Sequence, residues 1–364
     1  MISLTAQYSD QSLRKKLVAI LQKYAFDQKI YINFFVEAFC RRYNMIGGLC
    51  TNSGTNALIM VLHSLQIKSG DAVLLPTYTC KAILDALVLL GINPVFADNY
   101  LDYKQADFNL DEADVGYRLA SSKVKAIILP YMFGKIHHYK NLFNLSLPII
   151  EDITLSLGSP SPSIMGNQRR IIIASFFSTK VISAVEGGIV ATTDPELLEQ
   201  LRHVSNVDET NREERRKKTV DIRYELAFSF RPSELNFIWG FLQFNRLDNL
   251  IAERQRLARY YIKNLDANLY ELPDFDESNV YFRFMVGLRQ GDVISALSWL
   301  TKNGIEGGRG VYPLLSTYLN LDEHQFPRAK LAVGHSLSIP LHPSLSLKEV
   351  KHIIKTCNVY AGRK

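Results

Sequence analysis

Three short segments of this chain hold residue types that could do chemistry together. The first, Asn52 to Leu58 (NSGTNAL), puts a small polar turn directly before a helical pattern. Backbone N–H groups at a helix N-terminus, joined by a hydroxyl, form a ready site for a phosphate. A plain N-capped helix would use the same residues. The second, Pro148 to Asp152 (PIIED), is an apolar strand ending in two carboxylates. Ligands of α/β sheets gather at that end of the strands. A carboxylate there could keep a ring nitrogen protonated, or it could simply cap the next turn. The third, Ser175 to Lys180 (SFFSTK), delivers a hydroxyl and then an amine, with Glu186-Gly187-Gly188 close behind. Lysine condenses with carbonyl compounds once its site lowers its pKa, although an arbitrary lysine is an exposed one. The glycine pair lets the backbone pass close to something bulky.

The elements around these segments must carry them to one place. Between about residues 50 and 200, short β-branched runs alternate with helical stretches. Val73–Leu75, Pro94–Ala97, Lys125–Tyr131, Leu147–Glu151, Ile171–Phe176 and Gly188–Thr192 read as strands. Residues 55–66, 80–90 and 195–203 read as helices, the first with Leu58, Val61, Leu62 and Leu65 at helical spacing. Such alternation predicts a mostly parallel sheet with helices on both faces. After residue 231 the pattern changes: Pro232 suits the first turn of a helix, and a long helix runs from about Leu247 to Leu265 with Arg254 in its inward stripe. Residues 280–288 read as a strand, and 291–303 and 346–357 as helices. The expected division is a large domain over 1–245 and a smaller α/β domain over 246–364.

Composition narrows the function classes. With 364 residues, 47% hydrophobic and 21% charged, the chain has the profile of an ordinary globular protein. The net charge of +6 is dispersed, and its densest basic stretch, Arg212–Lys218, is broken by two glutamates. A solvated face is expected there, and not nucleic-acid binding. No apolar run approaches a membrane span, and the N-terminus lacks a signal-peptide pattern. Cys40, Cys50, Cys80 and Cys357 are scattered with no paired spacing, and His137-His138 has no further ligand at helical spacing. A cytoplasmic, metal-free protein is the expectation.

A phosphate turn, an aspartate, a serine and a lysine in that order are what a fold-type-I pyridoxal-phosphate (PLP) enzyme requires. With SGTNAL at 53–58, PTYTCKAILDAL at 76–87, KAIILPYMFG at 125–134, EGGIVATTD at 186–194, RPSEL at 231–235 and SIPLHPSLSLKEV at 338–350, the chain resembles the DegT/DnrJ/EryC1/StrS family of sugar aminotransferases over about residues 35–358. The resemblance implies a Schiff base between Lys180 and PLP, and a pyridinium partner in Asp152. It implies phosphate contacts from Gly54, Thr55 and Ser175, and a further one from Ser229 of the neighbouring subunit of a homodimer. The implied reaction moves an amine from an amino acid, glutamate being the expected donor, to a nucleotide-linked ketosugar.

Four positions depart from the family. Cys80 stands where an aromatic residue usually stacks on the cofactor ring, and Leu155 where Gln or His is usual. Ser229-Phe230-Arg231 replaces an Asn-Tyr-Arg triplet, and Asp27–Asn33 replaces a glycine-containing segment near the substrate. Three other readings stay open. One is a PLP-fold binding or regulatory module without catalysis; another is an aminotransferase for a ketone such as a cyclitol. The third is the family's sugar dehydratase, which carries histidine where this chain has Lys180.

Overall fold

The computed structural model describes residues 1–6, 8–23, 29–160, 169–205 and 226–360. Its centre is a seven-stranded sheet in the order β1-β7-β6-β5-β4-β2-β3. The strands are β1 (Gly47–Thr51), β2 (Ala72–Pro76), β3 (Asn93–Ala97), β4 (Val124–Pro130), β5 (Ile149–Asp152), β6 (Ile171–Ser175) and β7 (Gly188–Thr192). β2 to β6 pair in parallel, while β7 runs antiparallel to both of its neighbours. β4 to β7 are almost wholly buried, which is why their sequences read as unbroken β-branched runs and do not alternate.

Helices cover this sheet. α1 (Gln11–Leu21) and α2 (Ile30–Tyr43) precede it; α3 (Gly54–Ser64), α4 (Lys81–Leu89), α5 (Glu112–Ser121) and α6 (Pro195–Val204) follow its strands. α3 packs on β1, β6 and β7, and Ala57 to Leu62 along it are all buried. Each of its large apolar side chains contributes roughly 1.5–3 kcal/mol through that burial. Helices α7 (Glu234–Phe244) and α8 (Leu247–Asn264) then lead into a three-stranded sheet, β10-β9-β8. Its strands are β8 (Tyr270–Glu271), β9 (Phe284–Leu288) and β10 (Ser336–Ile339). The remaining helices are α9 (Val293–Lys302), α10 (Leu315–Tyr318), α11 (Pro327–His335) and α12 (Leu347–Val359). None of the helices described is long and apolar enough to cross a membrane.

The apolar interior falls into two clusters. Leu247, Leu250 and Ile251 at the head of α8 join the core of the large sheet. Leu257, Ala258 and Tyr261 further along join the core of the small sheet. The expected boundary at residue 245/246 therefore lies at the head of a helix that serves both cores.

Several sequence expectations are corrected. Pro232 lies before the N-cap Ser233 of α7 instead of inside its first turn. The strand expected over 280–288 begins only at Phe284. Tyr281 adopts a left-handed backbone with φ of 48°, which breaks an extended run. The carbonyls of Tyr281 and Phe282 accept from the guanidinium of Arg254 (3.3 and 3.2 Å), as does that of Leu341 (2.9 Å). The basic stretch Arg212–Lys218 lies outside the described residues.

Arg254 is thus a buried cation that ties α8 to the segment entering β9 and the segment leaving β10, and burial lowers its pKa to about 10. An Arg254→Leu variant is expected to lose about 3 kcal/mol of stability, since three carbonyls lose their donor at once. Urea unfolding measures this directly; a loss under about 1 kcal/mol would show that other donors can serve these carbonyls.

Candidate active site

The C-terminal ends of the parallel strands bring the three segments together. β1 ends at Thr51 and α3 begins at Gly54; β5 ends at Asp152; β6 ends at Ser175. Ser53 caps α3, its hydroxyl accepting from the Asn56 N–H at 3.1 Å. The fit around the turn is close. A Cβ on Gly54 would lie 2.6 Å from the Ser175 Cβ, and one on Gly188 would lie 2.3 Å from the Ser53 carbonyl oxygen. Only glycine lets the α3 N-terminus approach the ends of β6 and β7 this closely. The free N–H groups of α3 and the Ser175 hydroxyl consequently face one small space, where an anion would find donors and a favourable dipole.

That space belongs to a cavity of about 320 Å³ whose lining includes Gly54, Thr55, Cys80, Asp152, Ser175 and Lys180. A larger surface hollow, about 1570 Å³, lies elsewhere, beside Lys29, Arg202 and Arg231. It holds none of the three motif segments, so size alone does not mark the site.

The two carboxylates that end β5 separate by strand alternation. Glu151 is buried, takes the Arg170 guanidinium at 3.0 Å and accepts from the Tyr131 hydroxyl at 3.0 Å. Asp152 points into the cavity instead. One of its oxygens accepts from the Thr154 N–H at 2.9 Å, and it makes no ion pair with any described residue. Burial raises its pKa; the Thr154 hydrogen bonds and the charge of Lys180 work against that rise. Such a carboxylate is suited to a cationic N–H donor inside the cavity. Thr154 serves a second time, since its hydroxyl accepts from the Ser175 N–H at 2.9 Å and fixes the end of β6 to that of β5.

Lys180 lies in the turn after β6, where its N–H donates to the Phe177 carbonyl at 3.0 Å. Its amine makes no hydrogen bond or ion pair with a described residue and sits over the Phe282 ring, 5.7 Å from the centroid. Burial lowers its pKa, and the nearby Arg283 charge acts in the same sense, against Cys80 and Asp152. A larger share of neutral, nucleophilic amine at moderate pH follows.

Cys80 is the N-cap residue of α4, makes no capping bond through its side chain, and is exposed at the cavity wall. Leu155 also lines the wall. Ser229 is exposed and lies outside the cavity lining of its own chain. Its neighbour Phe230 accepts from the Asn52 N–H at 3.0 Å, next to the polar turn. Of the segment Asp27–Asn33, Asp27 and Gln28 lie outside the described residues, and α2 begins at Ile30. Sequence reading missed Thr154, Phe282, Arg283, Gly310 and Tyr312, all of which line the cavity. Two of them left a signal: Arg283, a lone charge inside the apolar stretch VYFRFMVGL, and Tyr312, within the segment VYPL at 311–314 that also carries the family resemblance.

The lowered pKa of Lys180 can be read by its reactivity. In the cofactor-free protein, acylation of Lys180 is expected to reach half its maximal rate at a lower pH than that of surface lysines, which titrate near pH 10.4. Mass spectrometry of the labelled peptides reports each site; a midpoint for Lys180 at or above the surface value would contradict the geometry.

Comparison with known proteins agrees with this architecture. The family model described as the DegT/DnrJ/EryC1/StrS aminotransferase family matches residues 7–358. The chain is 24% identical to a GDP-perosamine synthase of Escherichia coli O157:H7, over 92% of this chain and 91% of that one. It is 25% identical to a GDP-perosamine synthase of Caulobacter vibrioides, over 89% and 88%. Among solved structures, a sugar aminotransferase candidate from Streptococcus pneumoniae in its PMP form superposes with a TM-score of 0.85 at 20% identity, covering 99% of this chain and 98% of the other. This chain belongs to the DegT/DnrJ/EryC1/StrS aminotransferase family.

Proposed function

We propose that this aminotransferase holds PLP in the cavity between Asp152 and Lys180 and transfers an amino group from an amino acid to a ketosugar linked to a nucleoside diphosphate. One observation carries the reading. A depressed lysine amine and a carboxylate with no ion-pair partner among the described residues share a cavity with the donor-rich N-terminus of α3. Those three features match the aldehyde, ring nitrogen and phosphate of PLP, and the relatives named GDP-perosamine synthase supply the acceptor class. When bound, PLP supplies a carbonyl that carries the amino group and a ring that takes up electrons from the substrate C–H bond.

The protein's own groups do the rest. Gly54 and Thr55, at the head of α3, and Ser175 hold the phosphate by N–H and hydroxyl donors. Asp152, oriented by Thr154, keeps the ring nitrogen protonated, which maintains the ring's pull on electrons. Lys180 would hold the cofactor's carbonyl carbon, and its amine, once released, would be the base that handles the proton at the substrate carbon. Cys80 presents a soft sulfur to the ring where relatives carry an aromatic face. Residues 1–245 form the cofactor-binding domain and 246–364 the smaller one, and Ser229 reaches the phosphate of the partner subunit in a homodimer. Retention of Lys180, Asp152 and Ser175 favours catalysis over a purely regulatory role.

Borohydride reduction of the PLP-loaded protein is expected to fix the cofactor on Lys180, with no adduct in Lys180→Ala; an adduct mapped to a different lysine would overturn the assignment. Asp152→Asn is expected to fold normally and to slow turnover roughly a hundredfold, the effect of losing a charged partner to the ring worth about 3 kcal/mol. Wild-type turnover in that variant would exclude the electronic role.

A further inference from the structure

Arg283 has no task in the reaction described so far. It immediately precedes β9, and its side chain lines the same cavity as Lys180. Its guanidinium forms no hydrogen bond and no ion pair with any described residue. It is held by shape: the group stands 5.7 Å from the Phe282 ring centroid, and a Cβ on Gly308 would lie only 3.3 Å from one of its nitrogens. The Gly308 backbone is fixed in turn by reciprocal hydrogen bonds with Ser338 of β10, at 2.9 and 2.7 Å. Arg254 secures the other side by holding the Tyr281 and Phe282 carbonyls. The guanidinium is therefore preorganised, and the ordering of a long side chain is already met before any ligand arrives.

Once Asp152 is engaged by the cofactor, Arg283 is left to meet an anion. Lys180 and Arg283 flank one ring, Phe282, from which each stands 5.7 Å. The carboxylate facing them, Asp152, is assigned to the ring nitrogen of the cofactor under the proposed reading. Burial disfavours the charged form of Arg283; Tyr78 and Glu306 favour it, but no described acid lies within ion-pair distance. A guanidinium left unpaired in a partly buried wall is costly unless a ligand completes it, and its planar fork matches a carboxylate in two parallel hydrogen bonds.

We propose that Arg283 is the carboxylate receptor of the cavity and selects the amino donor, binding a carboxylate of the amino acid while the donor's amine lies at the Lys180 position. This rests on the aminotransferase reading and extends it to donor choice. The alternative anion is the diphosphate of the acceptor. It is less favoured because Arg283 shares the Lys180 wall, where the reacting carbons meet. Arg309, stacked 4.1 Å over the ring of the exposed Tyr312, a residue of the cavity lining, offers a second cation.

The test uses the PLP-loaded protein and calorimetry with two unreactive probes, glutarate for a donor's carboxylates and inorganic pyrophosphate for a diphosphate. Arg283→Gln is expected to weaken glutarate binding roughly ten- to a hundredfold. Arg283→Lys should restore part of it, and the pyrophosphate response should match wild type. In turnover, KM for the amino donor should rise by a similar factor, with KM for the acceptor unchanged. An unchanged glutarate affinity in Arg283→Gln overturns the proposal, and so does an equal or greater loss of pyrophosphate binding. Glutarate binding needs no acceptor, so a failure to aminate nucleotide ketosugars would refute the acceptor reading while leaving this result intact.

Discussion

The structure depends on one close approach, that of the α3 N-terminus to the ends of β6 and β7. Gly54 lies against Ser175 and Gly188 against Ser53, at separations that leave no room for a Cβ on either glycine. The contact fixes the position of the helix dipole relative to the strand that delivers Lys180. It also explains the register of the antiparallel β7, whose first residue, Gly188, pairs with Ser175 on one side and Thr51 on the other. Move that contact by a side chain's width and the donors of α3 no longer face the space between Asp152 and Lys180.

A second constraint is electrostatic. The cavity gathers a carboxylate raised by burial, an amine lowered by burial and a guanidinium, and none of the three forms an ion pair with a described residue. Folded proteins seldom leave such groups unmatched unless a ligand completes them. Glu151 shows the contrast one residue away, where a fully buried carboxylate is matched by Arg170 and Tyr131. Strand alternation alone sends one acid to structure and the other to the site.

Much of this was legible in the sequence because the site's main residues lie in contiguous segments at strand ends. The β-branched runs of β4 to β6 are buried on both faces, so tertiary packing agrees with local propensity. β1 was missed because its sequence, Gly47–Thr51 (GGLCT), lacks such a run. A Cβ on Gly48 would lie 2.5 Å from the Val190 carbonyl, so packing against β7 replaces an apolar side chain with none. The start of β9 was placed too early because Val280 to Phe282 are apolar and buried, yet the Tyr281 and Phe282 carbonyls serve Arg254 and the Val280 N–H donates to the Gly134 carbonyl. Phe282, Arg283, Gly310 and Tyr312 reach the cavity from more than a hundred residues beyond Lys180, and no local pattern encodes that meeting.

The central claim is that the turn at Gly54, the carboxylate of Asp152 and the amine of Lys180 form one cofactor site. A crystal structure of the protein grown with PLP tests it most directly. The account predicts the phosphate at the α3 N-terminus beside Ser175, the ring nitrogen within hydrogen-bond distance of Asp152, and continuous density from the cofactor to Lys180. Cofactor bound in the larger hollow beside Arg202 and Arg231, or bound with Asp152 remote from the ring nitrogen, would contradict it.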